Sequence, residues 1–97
     1  MPRQRKSRER TVPRPFELHW GKGNIVEEAT YAGEHHEPSI QLLEFEDGSA
    51  AVRFCYYDHA GRFQRSPLIV SNDEVVGLRK ALAAAPRLRS LLRELVS

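Results

Sequence analysis

The 97-residue chain predicts an α+β domain in which an antiparallel sheet of about four strands is followed by a kinked C-terminal helix, all behind a disordered basic tail. Three observations predict it. Apolar residues alternate with period two between about Ser39 and Val70, Asp47-Gly48 separates two such runs, and Ser71-x-x-Glu74 opens a stretch of helical periodicity.

Residues 1–15 form the tail. They contain Pro2, Pro13 and Pro15 and no apolar periodicity, so ordering them is not offset by buried surface. Residues 16–97 form the single domain. Phe16, Leu18 and Trp20 alternate with Glu17 and His19 and predict a first strand ended by Gly21 and Gly23. In Asn24–Gly33, Ile25, Val26 and Tyr31 suit a strand whereas Glu27, Glu28 and Ala29 suit a helical turn; the run is read as strand. Residues 33–38 are polar and end in Pro38, which predicts a loop.

The following meander is the most legible part. SIQLLEFE, SAAVRFCYYD and RFQRSPLIV are three strands, the first two joined at Asp47-Gly48, where Gly accepts positive φ. Parity places Val52, Phe54 and Tyr56 on one side of the middle strand and Arg53, Cys55 and Tyr57 on the other. The capping box predicts a helix from Asn72, with Val75, Val76, Leu78 and Leu82 turned to the core and Pro86 ending or kinking it. A second helical segment runs to about Val96. Its Leu88, Leu91, Leu92 and Leu95 form one face and Arg87, Arg89 and Arg93 solvate the other, so the leucines are expected to pack on the sheet or to meet a second subunit. A domain this small buries only about 60% of its unfolded surface, which favours a homodimer with those four leucines in the interface.

Charge is strongly divided. Arg3, Arg5, Lys6, Arg8, Arg10 and Arg14 against Glu9 give residues 1–14 a net +5, while the rest carries −3 of the total +2. A basic arm of this kind suits sequence-independent contact with phosphates, and it also suits a solvated terminus. No run approaches the length needed to cross a bilayer, and the single Cys55 forms no internal disulfide, so a cytoplasmic protein with a buried, inert thiol is expected.

Enzymatic chemistry finds little support. His19, His35, His36 and His59 lack metal-ligand spacing, and the acidic set Glu34, Glu37, Glu44, Glu46 and Asp47 reads as a solvated rim. No nucleophile elbow, P-loop or dinucleotide fingerprint is present; a non-enzymatic protein without cofactor or metal is expected. The residue set with chemical content is Arg53, Tyr57, Phe63 and Arg65, of one parity, with Arg62 nearby. Flat rings stack on splayed bases and guanidinium groups contact phosphates and rings, as single-strand binding requires.

From Ile40 to Leu82 the order of elements resembles the single-stranded-DNA-binding domain of the transcriptional coactivator positive cofactor four and its bacterial relatives. Ile40, Leu42, Glu44-Phe45, Gly48, Val52-Arg53, Tyr56-Tyr57-Asp58, Gly61, Ser71, Glu74, Leu78 and Leu82 carry the resemblance. It implies a Whirly-like ββββα core with a curved sheet, dimerisation through the helices, and single-stranded DNA or RNA bound across the sheet by a transcription cofactor. Where the family has a Lys-Lys-Gly-like stretch, this chain has Arg65-Ser66-Pro67, which reduces the basic surface there. The alternative expectation is a small protein-interaction module that docks a partner through its leucine-rich helix.

Overall fold

A computed structural model describes residues 10–64 and 67–97. Five strands form one antiparallel sheet in the order β1-β2-β3-β4-β5: β1 Arg14–Leu18, β2 Gly21–Thr30, β3 Glu37–Phe45, β4 Ala50–Tyr57 and β5 Leu68–Ser71. Two helices follow, α1 Asn72–Leu82 and α2 Pro86–Val96. The α+β class and the antiparallel sheet are as predicted. The differences are a fifth strand and two separate helices in place of one kinked helix.

Each difference has a local cause. Residues 24–30 pair with β3 apart from one bulged position, which resolves the ambiguous segment as strand. Pro86 stands at the first position of α2, where its missing N–H costs nothing, so it begins a new helix and does not kink the old one. The tail boundary also moves. β1 begins at Arg14, and Arg10 makes tertiary contacts, so the ordered body starts well before Phe16. Trp20 lies beyond β1 in the turn to β2.

Register fixes which side chains share a face. Glu37, Ser39, Gln41 and Leu43 of β3 stand opposite Tyr57, Cys55, Arg53 and Ala51 of β4, and Arg53 stands opposite Ile69 of β5. β2 joins this side through a bulge: Ile25 pairs with Leu43 but Glu27 pairs with Leu42, so Val26 is the extra residue and Glu28 is brought onto the side of Ile25. Gly23 permits close strand contact there, because a Cβ would stand 2.0 Å from the Glu44 carbonyl oxygen.

The core lies on this Arg53 face. Phe16, Ile25 and Leu43 form its centre, with Leu18, Phe45 and Ile69 packed against them. The opposite face carries Ile40, Leu42, Val52, Phe54, Tyr56, Leu68 and Val70, of which Val70 alone is buried, Phe54, Tyr56 and Leu68 are exposed and the rest are half-buried. The predicted capping box is present, with Ser71 and Glu74 bonded reciprocally at the start of α1. The stripe of Val75, Val76 and Leu78 does not meet a core: no residue of α1 or α2 is buried. α1 touches β4 and β5, whereas α2 touches α1 alone among the described elements.

Candidate nucleic-acid interface on the Arg53 face

The structure brings Arg53, Tyr57 and Phe63 together. Phe63 forms an isolated antiparallel bridge to Tyr57, its ring lies edge-on to the Tyr57 ring at 5.4 Å, and the Arg53 guanidinium sits over it at 4.7 Å. Arg65 lies outside the described residues, as do Arg3, Arg5, Lys6 and Arg8. Arg62 is near in sequence but turned to solvent and paired to Asp58 at 3.0 Å. That pair closes the loop after β4, where Asp58 also accepts from the amides of Ala60 and Arg62 and Gly61 takes φ 90°. The Arg62 amide first, and then its guanidinium, hold the Asp58 carboxyl below its ordinary value.

The exposure of these residues inverts the sequence reading. Arg53 and Tyr57 were expected on an open face, yet they are 7% and 6% exposed, whereas Phe54 and Tyr56 are 39% and 43% exposed. Arg53 is held by a 2.7 Å hydrogen bond from its Nε to Gln41. Gln41 in turn donates to the Tyr57 hydroxyl at 2.9 Å and to Glu28 at 2.9 Å. Arg14 closes the network with two hydrogen bonds to the Glu28 carboxylate, at 2.9 and 3.2 Å, and a third to the Tyr57 hydroxyl at 3.2 Å.

Glu28 is therefore surrounded by donors. Burial works to raise its carboxyl, but hydrogen bonds from Arg14, Ser39 and Gln41 together with the Arg14 charge outweigh that and bring it down to about 2. The same pair raises Arg14 above its ordinary value, although burial alone would lower it. Arg10 lies over the Tyr57 ring, 3.8 Å from its centroid, and within 3.6 Å of both Glu28 and Glu37. Thus the ring face proposed for stacking is occupied by the chain's own guanidinium.

Glu37 corrects another expectation. It was read as part of a solvated acidic rim, but it begins β3 and is buried. His59 approaches it through Nδ1 at 3.1 Å and reaches the Glu34 carbonyl through Nε2 at 3.1 Å. Burial pushes the Cys55 thiol up. Among the described residues no three His, Cys, Asp or Glu side chains converge as a metal site.

Sequence reasoning missed Glu28, Gln41 and Glu37. Gln41 and Glu37 share the parity of Ser39 and Leu43 and could have been found from the meander alone. Glu28 could not, because strict alternation from Ile25 assigns Glu27, not Glu28, to that face. The leucines expected at a dimer interface stand on α2, where Leu88, Leu91 and Leu95 are exposed and Leu92 is half-buried.

Comparison with known proteins returns no match: no family model, no curated protein and no solved structure is significantly similar to this chain. No helix among the described residues is long and apolar enough to cross a membrane.

Proposed function

We propose that this chain is a non-enzymatic, cytoplasmic module that binds single-stranded DNA or RNA on its sheet, at the open Phe63 edge of the Arg53 face, and works as a homodimer joined through its C-terminal helices. The observation that carries the reading is the aromatic–guanidinium cluster: Phe63, with one side open, is packed edge-on by Tyr57 and covered by Arg53. An open ring beside a fixed cation is the arrangement that stacks a splayed base and steadies its backbone.

The assembly is supported by the other half of the molecule. Exposed Leu88, Leu91 and Leu95, on a helix that among the described elements touches only α1, leave an apolar stripe that no described residue covers. The same stripe favours the second reading, a protein-interaction module in which α2 docks a different partner.

A fluorescence-anisotropy titration with labelled single-stranded DNA, duplex DNA and RNA at two salt concentrations tests the binding. Single strands are expected to bind best, and Phe63→Ala to cost about 1 to 3 kcal/mol of binding while the fold survives. If duplex binds equally well, or if Phe63→Ala is neutral in a folded protein, the interaction-module reading leads. Sedimentation tests the assembly: the Leu91→Asp/Leu92→Asp double variant is expected to be monomeric, and a parent chain that is already monomeric at high concentration removes the homodimer.

A further inference from the structure

The ring of Tyr57 is filled by Arg10, whereas another ring of the sheet is open. Trp20, in the turn between β1 and β2, is 58% exposed. It stacks on Phe45 with centroids 5.5 Å apart and planes inclined by 21°. Phe45 is braced from behind by Phe16, edge-on at 5.1 Å, and Phe16 belongs to the core. A flat shelf is thus fixed to the packed part of the protein with its outer side uncovered. It stands at the opposite end of β3 from Tyr57: Tyr57 pairs with Glu37, and Phe45 lies eight residues further on, about 26 Å at the rise of a strand.

The shelf forms one side of a groove of about 630 Å³ whose floor includes Ile69 and whose rim carries Lys22, Glu46 and Asp47. Glu74 also borders it, with its carboxylate engaged in the α1 capping box. Asp47 accepts from the Ser49 amide at 2.9 Å and the Ser49 hydroxyl at 2.6 Å, both on Oδ1, so Oδ2 is the oxygen available to an incoming donor. Hydrogen bonds from the Ser49 side chain, then its backbone, hold this carboxyl below its ordinary value.

Two properties of the groove determine its occupant. An open indole invites a flat ring, since base–aromatic stacking works with every base. A rim with more carboxylates than cations repels phosphate but accepts hydrogen bonds from exocyclic amino groups, as Asp and Glu do from cytosine N4. We infer that the Trp20 groove binds a base of the single strand by stacking, with preference for amino-bearing bases, cytosine above thymine, and with the phosphates held outside the rim. This inference rests on the single-strand reading and adds to it a stacking residue and a base preference.

Trp20 is the chain's one tryptophan, so its emission reports on this groove alone. Full-length protein is titrated with short oligo(dC), oligo(dA) and oligo(dT), following Trp20 emission and, in parallel, the anisotropy of the labelled strand. Oligo(dC) and oligo(dA) are expected to quench the emission and to bind about tenfold more tightly than oligo(dT), in the range for one stacked, hydrogen-bonded base. Trp20→Ala is expected to weaken oligo(dC) binding about tenfold, Trp20→Phe to restore most of it, and Asp47→Asn to narrow the gap between oligo(dC) and oligo(dT). Thermal melts of each variant separate lost stacking from lost folding. Strand binding without quenching, and with Trp20→Phe and Trp20→Ala both like the parent, overturns the groove and leaves single-strand binding standing. Equal quenching and affinity for oligo(dC) and oligo(dT) overturns the amino-group preference. No anisotropy change with any strand overturns both the groove and the function on which it rests.

Discussion

The two faces of the sheet differ in what they bury: the Arg53 face carries both the apolar core of Phe16, Ile25 and Leu43 and a set of polar residues. The Arg53 face holds Arg14, Glu28, Glu37, Gln41 and Arg53, yet several of these are as buried as the core residues beside them. The Phe54 face holds exposed Phe54, Tyr56 and Leu68 and half-buried Ile40, Leu42 and Val52, with Val70 its one buried member among the described residues, and Leu88, Leu91 and Leu95 of α2 are likewise exposed. Polar side chains survive burial because each finds a partner: Glu28 accepts from Arg14, Ser39 and Gln41, and Tyr57 accepts from Arg14 and Gln41. Apolar surface has no such local remedy, and among the described residues much of the Phe54 side is uncovered. The contrast teaches that burial of polar groups follows their pairing, whereas burial of apolar groups follows what packs over them.

The largest effect is expected from breaking the completed face. Arg14→Ala removes the bidentate partner of Glu28 and leaves a buried carboxylate with only the more distant Arg10 as counter-charge; a loss of about 3 to 5 kcal/mol is expected by urea denaturation. Phe63→Ala, which touches the same face at its open edge, is expected to leave most of that stability in place.

Acid attacks the same network from the other side. Glu28 sits at about 2 in the folded chain against an ordinary 4.5, so between those values the unfolded chain binds more protons and stability rises with pH. The contribution, roughly 3 kcal/mol, is fully present above about pH 4.5 and is lost as pH falls through about 2. Chemical denaturation at stepped pH checks this, and Glu28→Gln is expected to flatten the slope in that window.

A paired truncation compares the faces directly. Ile25→Ala creates a cavity beside Leu43 and is expected to cost about 2 to 5 kcal/mol at any protein concentration. Phe54→Ala, at a 39% exposed position, is expected to cost less than about 1 kcal/mol. Equal costs by urea denaturation would erase the distinction between the two faces.

The smallest effects come from the edges. Ser71→Ala removes the N-cap of α1 and is expected to cost about 1 kcal/mol in thermal melts. Deleting residues 1–9 is expected to spare the melt and to flatten the salt dependence of strand binding, because fewer counterions are released. Extending the deletion to residue 14 removes Arg10 and Arg14 and is expected to reproduce the loss seen with Arg14→Ala.

Much of the architecture was legible in the order of residues. The Asp47-Gly48 turn, the parity of β4 and the Ser71–Glu74 capping box depend on neighbours within a few positions, and each stands where local chemistry puts it. The alternation of Arg53 with Phe54 likewise follows from the pleat. What alternation cannot say is which side of the pleat becomes interior, because that depends on what the next strand brings. Here β1 and β2 delivered Arg14 and, through one bulged residue at Val26, Glu28 to the Arg53 side. Those two charges neutralise each other and anchor Tyr57 and Gln41, so polar side chains became interior beside the Phe16, Ile25 and Leu43 core while much of the Phe54 side stayed exposed. Backbone period is a property of the chain read in order; burial is a property of side chains tens of residues apart, and only their meeting in space decided it.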